Sequence, residues 1–155
     1  MSLLSGANLT AVYTDLTEGN TPALGDVFWG NGGKVYKFVQ YKEGTAAVDG
    51  VADEVAYYYT LDGYKNNQVS SDLSDSVEIG SGVLQAALSE DEYGWIQIKG
   101  PATLALALTA GADGDPLTPT GSADGTLDVS AAVTDHVCAY AGDISDKEVI
   151  CDFPF

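Results

Sequence analysis

Arginine is absent from this chain of 155 residues, histidine occurs once, and the only cationic side chains besides that histidine are six lysines, against 23 Asp and Glu. The formal net charge is −17. Phosphate backbones and anionic lipid surfaces are held by clustered Lys and Arg, with Arg supplying a bidentate fork, so this balance is repelled by both. No nucleic-acid partner and no membrane partner are expected. Acidity of this degree also serves solubility by itself, and that plainer reading stands beside any binding role.

Long apolar runs are missing too. No stretch approaches membrane-spanning length, and Met1-Ser2-Leu3-Leu4-Ser5-Gly6 has neither the basic start nor the apolar region of a secretory leader. A soluble chain made in a reducing cytoplasm is expected. Cysteine is limited to Cys138 and Cys151, without a neighbouring histidine or metal-ligand spacing. They read either as buried free thiols on adjacent closing strands or as one disulfide.

Catalysis needs a group that titrates near neutrality or an activated nucleophile, and His136 is the lone histidine. No Gly-x-Ser-x-Gly elbow or Cys-His constellation accompanies it. So many acids always offer some carboxylate pair, so abundance removes the specificity of a glycosidase-type reading. Asp113-Gly114-Asp115 and Asp124-Gly125 resemble fragments of calcium loops but lack the twelve-residue pattern that closes on Glu, and Asp-Gly is a common turn dipeptide. No catalytic residue, metal or cofactor is assigned.

What the chain does have is glycine, 18 residues, and tyrosine, nine, within a composition that is 45% apolar. That profile suits short strands and turns. In YGWIQIKGP, Tyr93 to Pro101, Trp95, Gln97 and Lys99 alternate with Ile96 and Ile98, which is strand periodicity, and Gly100-Pro101 reads as its stop. Ala102 to Leu108 then alternates alanine with leucine, predicting a second strand with Leu104, Leu106 and Leu108 on the core side together with Trp95. Val27-Phe28-Trp29, a Gly30-Asn31-Gly32-Gly33 tip and Lys34 to Tyr41 read as a hairpin. Further strands are expected at Glu54 to Thr60, on both sides of Gly80-Ser81-Gly82, around the loop from Gly121 to Thr126, and at Thr134 to Ala141 and Lys147 to Phe153. Leu61 to Ser76 is polar throughout and reads as an exposed loop.

The expected fold is all-β or β-dominated, a compact barrel or sandwich of short antiparallel strands with a flexible N-terminal arm. Length predicts one domain, residues 21–155, with residues 1–20 as the arm. Leu3, Leu4, Leu9, Val12 and Tyr13 show no sustained period, so the segment reads either as a frayed terminus or as an arm that orders against a neighbouring subunit, and its apolar residues favour the arm. Tyr57, Tyr58 and Tyr59 are consecutive and must point to both faces of a sheet, so at least one phenol reaches a surface or an interface.

The aromatic-Gly-Trp strand ending in Lys-Gly-Pro, the small-residue apolar segment, the Gly-Asp-Pro-Leu turn, the polar loop from Gly121 to Gly125 and a closing strand resemble the head decoration, or cement, proteins of tailed bacteriophages. The resemblance is strongest over Tyr93 to Leu117 and rests on no strict signature. It implies a non-enzymatic virion protein, commonly a homotrimer, that binds the major capsid protein on the outer surface of the head after assembly in the host cytoplasm. On that implication Leu3, Leu4, Leu9, Val12 and Tyr13 are the candidate capsid contacts, and Tyr57, Tyr58 and Tyr59 the candidate subunit contacts. Two rivals remain: a glycan- or host-surface-binding β module using Trp29 beside Gly30, and a small hydrolase around His136.

Overall fold

A computed structural model describes residues 6–17, 19–60 and 62–155. Leu3 and Leu4 lie outside the described residues. The chain is β-dominated, with strands β1 (Val27–Trp29), β2 (Val35–Tyr41), β3 (Val55–Tyr59), β4 (Gln68–Ser70), β5 (Ser76–Leu84) and β6 (Tyr93–Thr103) in its first two thirds. β7 (Pro116–Thr118), β8 (Asp128–Val129), β9 (Ala139–Asp143) and β10 (Glu148–Asp152) follow, and one short helix, α1 (Gly63–Asn66), precedes β4.

Five strands close a barrel in the order β2-β4-β3-β5-β6, with β6 returning to β2. All pairings in the ring are antiparallel except β2 with β4. β1 extends the sheet beyond β2, while β10, β9, β7 and β8 extend it from β6. One continuous apolar cluster includes Tyr41, Val55, Tyr57, Leu84, Ile96 and Ile98 from barrel strands, and Leu117, Leu127, Cys138, Val149 and Phe153 from the extension. Barrel and extension therefore share a core. Cys138 and Cys151 are both buried in it as free thiols, and burial pushes both thiols above their ordinary range.

Four local expectations need correction. Gly100-Pro101 does not end its strand: β6 runs on to Thr103, and at Lys99 it changes from pairing with β2 to pairing with β10. Gly100 makes the change possible, since it sits at φ +89° with its Cα so close to the β1–β2 tip that a Cβ would lie 2.8 Å from the Gly33 carbonyl oxygen. The predicted strand over Ala102–Leu108 consequently stops at Thr103, leaving Leu104 buried, Leu108 partly buried and Leu106 exposed.

Gly80 and Gly82 likewise do not separate two strands but lie within β5. They mark close packing: a Cβ on Gly80 would come within 2.7 Å of the Cys138 sulfur, and one on Gly82 within 2.8 Å of the Gln97 carbonyl oxygen. The polar stretch after Tyr59 is not simply an exposed loop. It supplies α1 and the barrel strand β4, and Ser70, Ser71 and Asp72 are buried. Ser71 is satisfied by neighbouring elements, its hydroxyl donating to the Val55 carbonyl at 3.1 Å and its N–H to the Tyr41 hydroxyl at 3.2 Å, and Asp72 accepts at one oxygen from Ser74.

Replacing Gly100 with alanine is expected to cost about 1–3 kcal/mol from the positive φ alone, plus the displacement of the Gly33 backbone. Urea unfolding of Gly100→Ala should therefore give a clearly lower midpoint, whereas Gly32→Ala, at a position with nothing within 4 Å, should lose less.

Candidate binding surface

The broadest candidate is the outward face of the sheet. In β10 the even positions Glu148, Ile150 and Asp152 are exposed while Val149 and Cys151 are buried, so alternation fixes which side chains look outward. Two register lines meet this face. Trp29, Val35, Lys99 and Asp152 are successive partners across β1, β2, β6 and β10, but Val35 is buried in the main core and the β2–β6 register shifts beside it, so of this line Lys99 and Asp152 stand on the outward face. Pro101, Ile150, Tyr140 and Pro116 are partners across β6, β10, β9 and β7.

Aromatic side chains stand along the first line. Trp29 is 70% exposed and Phe155 50%, with ring centroids 6.0 Å apart. The Lys99 ammonium lies 4.8 Å from the Phe155 ring centre and pairs with Asp152 at 2.8 Å. Tyr64, also exposed, donates its hydroxyl to the Phe155 carbonyl at 3.1 Å, which fixes the C-terminal residue against α1. Beneath Tyr64 the buried Lys37 ammonium bonds the Tyr58 hydroxyl at 3.0 Å and lies over both tyrosine rings. On the second line Ile150 and Tyr140 are exposed, and a shallow depression of about 200 Å³ beside them is lined by Lys34, Pro101, Glu148 and Ile150 among others.

The N-terminal segment is the second candidate. Tyr13 pairs with Tyr93 as a β-bridge and its ring meets Phe38 edge-on at 5.6 Å. Ala7, Leu9, Tyr13 and Leu16 pack, with Phe28 and Tyr93, on a second cluster made by Tyr36, Phe38 and Trp95. Leu9 and Tyr13 are thus covered by their own chain without any neighbour. Val12, 41% exposed, is the apolar side chain among the described contacts that still faces solvent. The sequence carries a signal for this in the aromatic-rich β2, where Tyr36 and Phe38 lie on the side away from the main core and need a cover.

Tyr57 and Tyr58 are fully buried, which corrects their assignment to a subunit contact; only Tyr59 keeps partial exposure. The Tyr57 hydroxyl donates to the Thr126 carbonyl at 2.5 Å and accepts from the Thr126 N–H at 3.1 Å, tying β3 to the loop before β8. Burial raises both phenols well above the ordinary tyrosine range.

Around His136 the groups do not converge. The Asp135 carboxylate accepts from the N–H groups of Ala131 and Ala132, both at 2.9 Å, and so closes its own loop. The His136 Nδ1 is buried without a hydrogen-bond partner among the described residues, and burial lowers the imidazole pKa. Among the described residues no three His, Cys, Asp or Glu side chains meet in a metal-holding group. The acidic turns serve the backbone instead: Asp115 accepts from Ala112 N–H, Asp113 from Ile144 N–H and Asp124 from Leu73 N–H.

No family model and no curated protein matches the chain. Among solved structures it is similar to the N base of the head fiber protein gp8.5 of bacteriophage phi29. The two are 17% identical with a TM-score of 0.49, over 79% of this chain and 98% of that one. A likeness of that size fixes no function.

The two buried phenols have a pH consequence. A raised folded-state pKa means that the stability contributed by the neutral phenol is complete below the unfolded value near pH 10 and is lost as pH climbs above it toward the folded value. Lys37, whose pKa is lowered by burial, works oppositely, adding stability as pH rises through its folded pKa toward the unfolded one. Spectrophotometric titration at 295 nm is expected to show exposed tyrosines ionising first, with Tyr57 and Tyr58 ionising only as near-UV dichroism collapses. Full ionisation of all nine tyrosines with the dichroism intact would contradict the burial.

Proposed function

We propose that this chain is a structural protein of a tailed-phage head, a decoration protein that binds the outer surface of the assembled shell and braces junctions between capsomers as a homotrimer. The observation that carries the reading is the wide sheet face on which Trp29, Phe155, Tyr64, Ile150 and Tyr140 stand exposed on a small acidic barrel. Enzymes concentrate polar groups in a concavity, whereas a flat apolar face bordered by polar side chains is suited to holding another protein. The residue pattern over Tyr93–Leu117 supports the family, and the absence of arginine from the sequence suits an outer surface that does not engage packaged DNA.

In this reading the major capsid protein is the partner, and no cofactor, metal or chemistry is required. Several weak contacts per trimer act together, so linkage multiplies affinity without one strong site. Val12 is the described residue placed to touch the shell, with Leu9 and Tyr13 holding its segment in position. Leu3 and Leu4 extend the same proposed contact.

A glycan-binding role is the second reading, favoured by the exposed Trp29–Phe155 pair beside Gly30. Sugar rings stack on such surfaces, and retention on a glycan array that is lost in Trp29→Ala would support it.

Co-sedimentation with empty tailed-phage capsids tests the main reading, with retention expected and a protein left wholly in the supernatant counting against it. Val12→Asp is expected to weaken retention about tenfold with an unchanged melting temperature. Tyr13→Ala should instead lower the melting temperature, because it removes a ring that covers Phe38, at a cost of about 2–4 kcal/mol for a large side chain only partly buried.

A further inference from the structure

We infer that, of the two protein contacts in this reading, copy to copy and copy to shell, the exposed face running from Trp29 and Phe155 to Ile150 and Tyr140 makes the first, leaving the second to the segment around Val12. The inference rests on the self-association in the reading above and names the surface responsible for it.

Charge is the first argument. Two copies of a molecule with a formal charge of −17 repel strongly, so association is cheapest through a region where charge cancels. On this face Lys34 and Lys99 stand against Glu148 and Asp152, and Lys99 and Asp152 are already ion-paired. Two of the six lysines of the chain thus stand here against Glu148, Asp152 and Asp143, the cross-strand partner of Glu148, so the face is less acidic than the molecule as a whole.

Shape is the second. The face has unlike halves: a projecting aromatic end, where Trp29 and Phe155 stand on the β1 edge, and a depressed end bounded by Lys34, Pro101, Glu148 and Ile150. A projection on one copy fits a depression on the next better than it fits itself. Such head-to-tail contacts are heterologous, and they close into rings when the rotation allows. Trp29 is the natural anchor, because large aromatic side chains seated in desolvated sites dominate interface energetics. β1 is also an edge strand with only β2 as partner, a position that needs cover.

The test is mass in solution, by light scattering across a concentration series, for the wild type and for Trp29→Glu, Ile150→Glu and Val51→Glu. All three positions are exposed, and Val51 lies outside the face, so it serves as the control. The wild type is expected as an oligomer, with Trp29→Glu and Ile150→Glu raising the dissociation constant at least a hundredfold at unchanged melting temperature of the monomer, and Val51→Glu behaving as wild type. A wild type that stays monomeric at 100 μM by this measurement, or an oligomer untouched by both face variants, overturns the assignment. Circular dichroism confirms that each variant is folded; should Ile150→Glu fail to fold, Trp29→Glu decides alone. Capsid co-sedimentation run in parallel separates the two failures: an oligomer that resists both variants yet binds shells leaves the proposed function standing, and one that dissociates in the variants yet ignores every shell leaves the interface standing.

Discussion

The double use of β6 is the constraint on which the remaining structure depends. Over Tyr93 to Lys99 one edge of this strand is bonded to β2, closing the barrel, while β5 and then β10 occupy the other. β6 continues for four residues beyond Lys99 and carries the same sheet on into β10, so barrel and extension are built on one strand. Gly100 permits this because the β1–β2 tip presses against its Cα, leaving no space for a side chain. The long strand also explains the single core, since Ile96 and Ile98 in the barrel and Phe153 beside β10 belong to one apolar cluster.

From that continuity follows the division of the surface. Because the extension shares its inner face with the barrel, Val149, Cys151, Ala139 and Ala141 are buried, and alternation then forces Ile150, Asp152 and Tyr140 outward. Trp29 joins this face through Phe155, whose ring meets both Trp29 and the Lys99 ammonium. Acids populate the turns elsewhere, where Asp113, Asp115, Asp124 and Asp135 accept backbone N–H groups. Acidity here has a structural use in closing loops, and the sheet face around Lys34 and Lys99 is less acidic than the rest.

The second cluster shows how a small β protein manages aromatic side chains that its barrel does not enclose. Phe38 and Trp95, ring centroids 5.3 Å apart, lie on adjacent strands and meet Tyr93 and Tyr13 around them. Strand alternation in β2 sends Val39 and Tyr41 to the main core and Tyr36 and Phe38 away from it. The N-terminal segment supplies the missing layer. Its sequence has no periodicity of its own because it is shaped by the surface it covers.

The residues alone determined the β character, the hairpin around Gly30–Gly33, the closing pair β9–β10, the single histidine and the strongly acidic, arginine-free balance. Those follow from local alternation, from turn chemistry and from charge, all written in short windows. Tertiary structure decided the rest: that Gly80 and Gly82 are points of close approach and not turns, that the polar run beyond Tyr59 hides a barrel strand, that Tyr57 and Tyr58 face inward, and that Trp29, Phe155 and Ile150 share one face. Each of these depends on which distant strand occupies an edge, and a period of two says that a residue has faces without saying what lies against them.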